Sequence, residues 1–300
     1  MPTRRDALKL AALTALCPAA PVRAQSRVRV VATFSILGDL VKQVGGDRVE
    51  VVTLVGPDGD VHVYSPTPAD AKALGAARAI FVNGLGLEGW IARLIAVSGG
   101  RAPVIVASTG VKARDVADKR DPSRMVPDPH AWQSIANAGI YVGNIRDALR
   151  AADPDGSGTY DDNAKAYLGK LDALESEVKA AIAKIPADRR KVITTHGSFG
   201  YFGDAYGMEF IAPEGLSTDA DPSAKDVAKV IVQIKREQIP AVFIENIYDP
   251  RLIERIAEES GAKIGGTLYS DALSPPNGPA ATYIAMMRHN ARALVDALAP

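Results

Sequence analysis

The segment Tyr160-Asp-Asp-Asn-Ala-Lys-Ala-Tyr-Leu-Gly-Lys-Leu-Asp-Ala-Leu-Glu-Ser-Glu-Val-Lys-Ala-Ala-Ile-Ala-Lys-Ile185 contains no proline and a single glycine. Pro186 ends it, and its apolar residues recur at helical spacing: Leu168, Leu171, Leu174, Val178 and Ile182. A helix over these 26 residues is about 39 Å long. Since a helix of that length can cross between two domains, the segment predicts a two-lobed molecule joined by one long helix.

On both sides of this segment, strand-like and helix-like stretches alternate. The strand-like runs are 28–33, 49–55, 79–83, 104–107, 191–195, 209–211, 241–245 and 263–268. Helical patterns lie between them, among them 36–44, 68–74 and 88–96. Such alternation is typical of an α/β fold with mainly parallel sheets flanked by helices. We therefore predict an N-terminal α/β lobe at 27–155, a linking helix at 156–186 and a C-terminal α/β lobe at 187–300.

Residues 1–24 have the composition of an export signal peptide. Arg4 and Arg5 open a basic stretch, an apolar run follows from Leu10 to Ala20, and Val22-Arg23-Ala24 offers small residues to a signal peptidase. The apolar run is too short to span a membrane. We therefore expect cleavage after Ala24 and a periplasmic protein. The paired arginines leave a twin-arginine route and a general secretory route both open.

The cysteine content and the net charge argue against a lipid anchor, disulfides and a nucleic-acid partner. Cys17 is the only cysteine; it lies inside the predicted signal and follows Leu16, where a lipoprotein signal has a small residue, so we expect neither a lipid anchor nor a disulfide. The signal holds four basic residues and one acidic residue, which leaves 31 basic and 34 acidic residues and a formal charge of −3. Nothing in this balance favours a nucleic-acid partner.

Three of the four histidines stand in loops beside predicted strand ends or a helix start. His62 follows the strand ending at Val55, His196 follows the strand ending at Thr195, and His130 lies in Asp-Pro-His at the predicted start of a helix. Asp271 follows a fourth strand. Because ligands collect at the carboxyl ends of parallel strands, two residues from each lobe would meet in the cleft between the lobes. Three imidazoles and one carboxylate are a sufficient ligand set for Zn²⁺.

Three other features have more than one interpretation. The segment Gly84-Leu-Gly-Leu-Glu-Gly89 matches G-x-G-x-x-G, but the next strand ends without the acid that a dinucleotide site requires, so we predict a tight turn. Glu245 ends a strand near the cleft and is a candidate hydrogen-bond acceptor for a ligand histidine, with a helix-cap or salt-bridge role left open. His289 falls in a predicted C-terminal helix at 283–298, where we expect a surface or packing role.

Four segments of the chain resemble the zinc- and manganese-binding solute-binding proteins of ABC importers. They are Asp60-Val-His-Val-Tyr-Ser-Pro-Thr-Pro-Ala-Asp70, Asn83-Gly-Leu-Gly-Leu-Glu-Gly-Trp90, Asp128-Pro-His-Ala-Trp132 and Thr195-His-Gly-Ser-Phe-Gly-Tyr-Phe202. The resemblance covers nearly the whole chain after the signal. It implies two α/β lobes, a rigid linking helix, and a metal held in the cleft by His62, His130, His196 and Asp271.

The resemblance also bears on the metal and its destination. Zinc members of the family are similar at His196, whereas many manganese members have Glu there. The chain departs from the family at Val61, where a proline is usual, and in 112–126, which lacks the histidine-rich insert of some zinc members. Delivery of the metal to a membrane permease is implied.

We therefore predict a non-enzymatic, monomeric carrier that captures Zn²⁺ outside the cytoplasm and delivers it to an ABC permease. A periplasmic metallochaperone is a further candidate partner. Manganese as the cargo is one alternative. A secreted zinc hydrolase is another, in which three histidines activate a water and Asp271 or Glu245 acts as base; against it, no two histidines share a helix at i, i+4 spacing.

Overall fold

The computed structural model describes residues 27–118 and 121–300. The predicted export signal and Cys17 lie outside these residues. Within them, no helix combines the length and the apolar character needed to cross a bilayer. The described chain forms two four-stranded parallel sheets with helices packed on them, which confirms the predicted α/β class.

The N-terminal sheet has the strand order β2-β1-β3-β4, and every pair in it is parallel. Its central strand is valine-rich and buried over its last five residues, as expected of a strand covered on both faces. A short antiparallel pair, β5–β6, follows this sheet. The elements are β1 (Val28–Phe34), α1 (Ser35–Gly45), β2 (Val49–Val55), α2 (Pro68–Gly75), β3 (Ala79–Val82), α3 (Ile91–Ser98), β4 (Val104–Val106), β5 (Asp115–Ala117) and β6 (Met125–Pro127).

Two long helices lead to the C-terminal sheet, whose strand order is β10-β9-β7-β8 and whose pairs are also parallel. The remaining elements are α4 (Ile135–Ala152), α5 (Ser157–Ile182), β7 (Lys191–Ile193), α6 (Gly200–Tyr206), β8 (Glu209–Ile211), α7 (Ala224–Glu237), β9 (Ala241–Glu245), α8 (Arg251–Ser260), β10 (Lys263–Leu268) and α9 (Tyr283–Leu298).

Helix α5 is the predicted long helix, with 26 residues, and it contacts α1, α4 and α9. It starts and ends three residues earlier than the sequence pattern indicated. The last turn tightens, because the N–H of Lys184 bonds to Ala181 and that of Ile185 to Ile182. The residue before a proline is disfavoured in the α conformation, so the helix ends before it reaches Pro186.

The largest buried apolar cluster crosses the middle of the molecule. It contains Phe34 and Phe81 of the N-terminal sheet, Leu171 of α5, and Val192 and Phe243 of the C-terminal sheet. Two smaller clusters each lie within one half. Helix α5 is therefore packed into a core that both halves share. The lobe boundaries given above stay predictions.

Two predicted helix starts differ from the structure. The helix expected from Glu88 begins at Ile91, because the Glu88 carboxylate is buried in the preceding loop and accepts the N–H groups of Asn83 and Gly84. The chain at His130 makes one 3₁₀ turn and then extends at Ser134, with ψ at 124°, before α4 begins. His130 therefore lies in a loop one turn ahead of the helix.

Candidate metal centre

Four loops bring the predicted ligands together. His62 lies between β2 and α2, His130 before α4, His196 after β7 and Asp271 after β10. One ligand atom from each residue can be chosen so that all four atoms lie within 4.8 Å of one another. Each loop is at the carboxyl end of its sheet or faces that end, so the four loops meet at one point between the two sheets.

The shortest distances run between imidazole Nε2 atoms and the carboxylate. Nε2 of His62 is 3.2 Å from Nε2 of His130 and 3.2 Å from Oδ2 of Asp271. Nε2 of His196 is 3.1 Å from the same Oδ2, and Nε2 of His130 is 3.7 Å from Oδ1. The three Nε2 atoms thus turn toward a common centre, which is the arrangement that a tetrahedral cation requires.

Burial divides the four residues into two groups. His130, His196 and Asp271 are fully buried. The side chain of His62 is 3% exposed, and the next residue, Val63, is 50% exposed. A groove of about 660 Å³ opens beside His62, between Leu85 and Leu216. The side of the site that carries His62 is therefore the one nearest to solvent.

A carboxylate faces the outer nitrogen of two of the imidazoles. Nδ1 of His130 lies 2.8 Å from Oδ1 of Asp128, which also accepts the backbone N–H of His130. Nδ1 of His196 lies 2.8 Å from Oε2 of Glu245, although the angle falls outside hydrogen-bond geometry. A carboxylate at Nδ1 favours the tautomer that leaves Nε2 free to bind a metal.

Glu245 also fixes the backbone around His196. Its Oε1 accepts the N–H groups of Thr195 and His196 at 2.7 and 2.9 Å, and its Oε2 accepts the Ser198 hydroxyl at 3.2 Å. Glu245 therefore holds the loop and faces the ring at once. It does not cap a helix in these contacts.

Burial and neighbouring charges oppose each other in setting the pKa of three groups in the site. Burial lowers the pKa of His62 below its ordinary value, although Asp271 opposes the change. Burial also acts to lower the pKa of His196, but the carboxylates of Glu245 and Asp271 outweigh it and raise that pKa well above its ordinary value. Burial acts to raise the pKa of Asp271, and the nearby His196 and His130 hold it well below the usual range instead. A cation at the centre would take the place of these protons.

The G-x-G-x-x-G segment forms a tight turn that supports the site. Gly84 and Gly86 have φ values of 84° and 86°, and a Cβ on Gly84 would come within 2.4 Å of Val106. At the start of this turn, the Asn83 amide donates to the carbonyl of Pro129 at 2.9 Å. The turn therefore braces the loop that carries His130.

His289 packs outside the site, as the sequence indicated, whereas one residue that contacts the site was not predicted. His289 lies outside the group, with Nε2 3.0 Å from the carbonyl of Thr267 and its ring against Tyr269. Asp128 was not predicted from the sequence. Its place two residues before His130 was a usable signal, because an aspartate side chain often accepts the backbone N–H of the second residue after it, as Asp128 does here.

A buried group of three histidines and one aspartate, between two α/β sheets joined by a long helix, defines a metal-binding solute-binding protein. A sequence model of the family described as "Zinc-uptake complex component A periplasmic" matches residues 30–297. The chain belongs to this family, whose members serve ABC metal importers, and the prediction that it is not an enzyme is confirmed.

Relatives of the chain carry names that refer to different metals. It is 33% identical over 271 residues to a manganese-binding lipoprotein, MntA, of Halalkalibacterium halodurans, covering 90% of this chain and 88% of the relative. It is 33% identical over 278 residues to the iron-binding protein YfeA of Yersinia pestis, covering 93% and 88%. These relatives therefore agree on the family, but their names refer to different metals.

Solved structures share the fold over almost the whole chain. The periplasmic zinc-binding protein TroA of Treponema pallidum matches with a TM-score of 0.86 and 30% identity, over 92% of this chain and 100% of that one. A manganese-bound periplasmic metal-binding protein of Candidatus Liberibacter asiaticus matches with a TM-score of 0.80 and 32% identity, over 90% and 99%.

Proposed function

We propose that this protein captures Zn²⁺ outside the cytoplasm and delivers it to the permease of an ABC importer. The observation that carries the proposal is the buried convergence of His62, His130, His196 and Asp271, with ligand atoms within 4.8 Å of one another. Four protein ligands complete a tetrahedral shell, so no coordinated water is needed. Such a site suits capture and transfer rather than hydrolysis.

The donor set favours zinc over the other metals named among the relatives. Imidazole nitrogen suits Zn²⁺, whereas Mn²⁺ is better matched by carboxylate and other oxygen ligands. Three of the four proposed donors are imidazoles. Manganese remains the second candidate, because relatives with manganese in their names have about a third of their residues in common with this chain.

The setting of the proposed function follows from the predicted signal and the family. Residues 1–24 would direct export to the periplasm, where the mature chain, with no cysteine, would work as a monomer. A permease would receive the metal, and a metallochaperone is a further candidate partner. Lobes at 27–155 and 187–300, joined by the helix at 156–186, would each offer a face to the permease.

Metal analysis of the purified exported protein tests the proposal. Titration of the metal-free protein against a competing chelator should give one Zn²⁺ per chain, bound more tightly than Mn²⁺. A stoichiometry of zero would refute the metal site altogether. Equal or tighter binding of Mn²⁺ would refute the zinc assignment and leave the manganese carrier.

Alanine variants test the ligand assignment. His62→Ala, His130→Ala and His196→Ala should each weaken Zn²⁺ binding more than Asp271→Ala, because a water can replace a carboxylate oxygen more easily than an imidazole. His289→Ala is the matched control, since this histidine lies outside the group, and it should leave the affinity unchanged. A worse effect of Asp271→Ala than of the three histidine variants would reverse the ranking.

A further inference from the structure

We propose that Gln133 and Asn290 are positioning residues that hold Asp271 at a fixed place in the site and thereby help to set which metal is preferred. This proposal rests on the proposed function, because it takes Asp271 as a ligand. Neither side chain belongs to the four-residue group. Both act on the two residues that connect Asp271 to the sheet, Tyr269 and Ser270.

The segment before Asp271 has left its sheet. Strand β10 is at the edge of the C-terminal sheet and pairs with β9 as far as the match of Leu268 with Glu245, where β9 ends. Tyr269 and Ser270 are buried, and among the described residues no strand pairs with them. The only bond to them from the end of β9 is a long one, in which the N–H of Ser270 donates to Oδ1 of Asn246 at 3.4 Å. Buried backbone groups need other partners.

Asn290 supplies two of these partners from helix α9. Its Oδ1 accepts the N–H of Tyr269 at 2.9 Å, and its Nδ2 donates to the carbonyl of Tyr269 at 2.8 Å. The side chain is fully buried. A single amide group therefore bonds to both backbone groups of Tyr269, as a neighbouring strand would.

Gln133 supplies the next partner from the other half of the molecule. Its Nε2 donates to the carbonyl of Ser270 at 2.7 Å, and the indole N–H of Trp132 donates to the same oxygen at 3.0 Å. Both donors are fully buried and directly follow the loop of His130. The peptide before Asp271 is thus tied to the loop that carries His130, so the two proposed ligands are held relative to each other.

A carboxylate on a fixed backbone has little freedom to adapt to the metal. A tetrahedral Zn²⁺ needs one oxygen at a set distance, whereas Mn²⁺ accepts more oxygen ligands and a larger shell. If the segment were loosened, Asp271 could turn both oxygens to the metal or admit water. Fixing the segment therefore favours the smaller coordination number, and the groups that orient a ligand affect metal affinity strongly.

Two variants remove these bonds with little change in volume. Gln133→Leu removes the donor to Ser270, and Asn290→Asp keeps the acceptor for Tyr269 N–H while removing the donor to its carbonyl. For each, Zn²⁺ affinity should fall about 10–100-fold, and Mn²⁺ affinity should fall less, so that their ratio narrows. The absorption spectrum of the Co²⁺-loaded variant should shift toward that of a higher coordination number, a change that a loss of stability alone would not produce.

Matched controls remove side-chain amides that lie elsewhere. Gln43→Leu removes a donor to Asp39 at 3.0 Å, and Asn144→Asp removes a donor to the carbonyls of Ala107 and Thr109, both at 2.8 Å. Both controls should keep the Zn²⁺ to Mn²⁺ ratio and the Co²⁺ spectrum of the unaltered protein.

The outcomes separate this proposal from the proposed function. If Asp271→Ala changes the Co²⁺ spectrum but Gln133→Leu and Asn290→Asp do not, the positioning role is refuted and the ligand assignment stands. If Asp271→Ala also has no effect, the ligand assignment itself fails. A lower melting temperature with an unchanged spectrum likewise refutes positioning. Should the buried charge of Asn290→Asp prevent folding, Gln133→Leu decides alone, since it introduces no charge.

Discussion

Asp128 and Glu245 lie against the ring nitrogens that His130 and His196 turn away from the site centre. A carboxylate in this place keeps the proton on Nδ1 and makes Nε2 a better donor to a metal. It also limits rotation of the ring. Before a metal arrives, His130 is therefore oriented by a hydrogen bond, and His196 by a close carboxylate contact without hydrogen-bond geometry.

The Asp128→Asn variant should bind Zn²⁺ about 10–100-fold more weakly, because a neutral amide orients and polarises His130 less well. Competition with a chelator measures the change. Asp147→Asn, an exposed carboxylate on α4 paired with Arg146, is the matched control and should have no effect. If the two variants bind alike, Asp128 has no part in orienting His130.

Zn²⁺ affinity should fall as the pH is lowered from about 8 to about 6, beginning above the ordinary histidine pKa of ~6.5. The carboxylates of Glu245 and Asp271 raise the pKa of His196 despite its burial, so a proton already competes with the metal near neutrality. Affinities measured at a series of pH values test this. A flat profile over that range would contradict it.

In the metal-free protein, His196 should make the free energy of unfolding fall as the pH rises, whereas Zn²⁺ affinity rises with pH. A raised pKa in the folded state stabilises the protein fully below about 6.5, and this contribution is lost as the pH rises through the raised value. Denaturant unfolding of the chelated protein at pH 6 and pH 9, compared with His196→Ala, measures it. An equal response of both proteins to pH would count against the raised pKa.

The sequence alone nominated the four residues of the proposed site, because each is a metal-binding type at the end of a predicted strand or beside a turn. It could not predict Gln133 or Asn290. Their partners are backbone atoms 137 and 21 residues away, and an amide side chain in a helix or turn carries no mark of such a contact. For Glu245, the sequence predicted the position near the cleft, but not its hydrogen bonds with the backbone of Thr195 and His196.

Helix α5 has a buried face of seven residues with polar neighbours around it. Leu174→Ala should lower the free energy of unfolding by about 2–5 kcal/mol, because it leaves a cavity in the shared core. Denaturant unfolding measures the loss. Lys170→Ala, on the exposed face of the same helix, should change stability by no more than about 0.5 kcal/mol. A loss below about 1 kcal/mol at Leu174 would show that the helix is loosely packed.

Elements with strong periodicity were predicted well, and irregular ones were not. Strand β2, rich in valine, has the expected bounds, Val49–Val55. The register shift in β10 was not foreseen, although Gly265 and Gly266 lie within it. A Cβ on Gly265 would come within 2.5 Å of Phe243, so the small residue reflects a packing contact that no local pattern contains.

At the scale of the whole molecule, chelation of the metal should leave the fold intact. The core is large and each half has its own sheet, so the helical circular dichroism signal should persist without Zn²⁺. Added Zn²⁺ should raise the melting temperature at neutral pH, with about 2.7 kcal/mol of stabilisation at a hundred times the dissociation constant. Loss of the helical signal on chelation would instead make the metal a structural element.

The apolar cluster shared by both halves has a consequence for modularity. Helix α5 packs against α1 and α4, which precede it in the sequence, and against α9, which follows the last strand of the C-terminal sheet. Its surface therefore fits both halves of the molecule at once. A chimera that joins one half of this protein to the other half of a relative would have to repack that helix against a foreign surface. Exchange of halves should therefore be rare among such proteins, and heat should unfold the protein in one calorimetric transition.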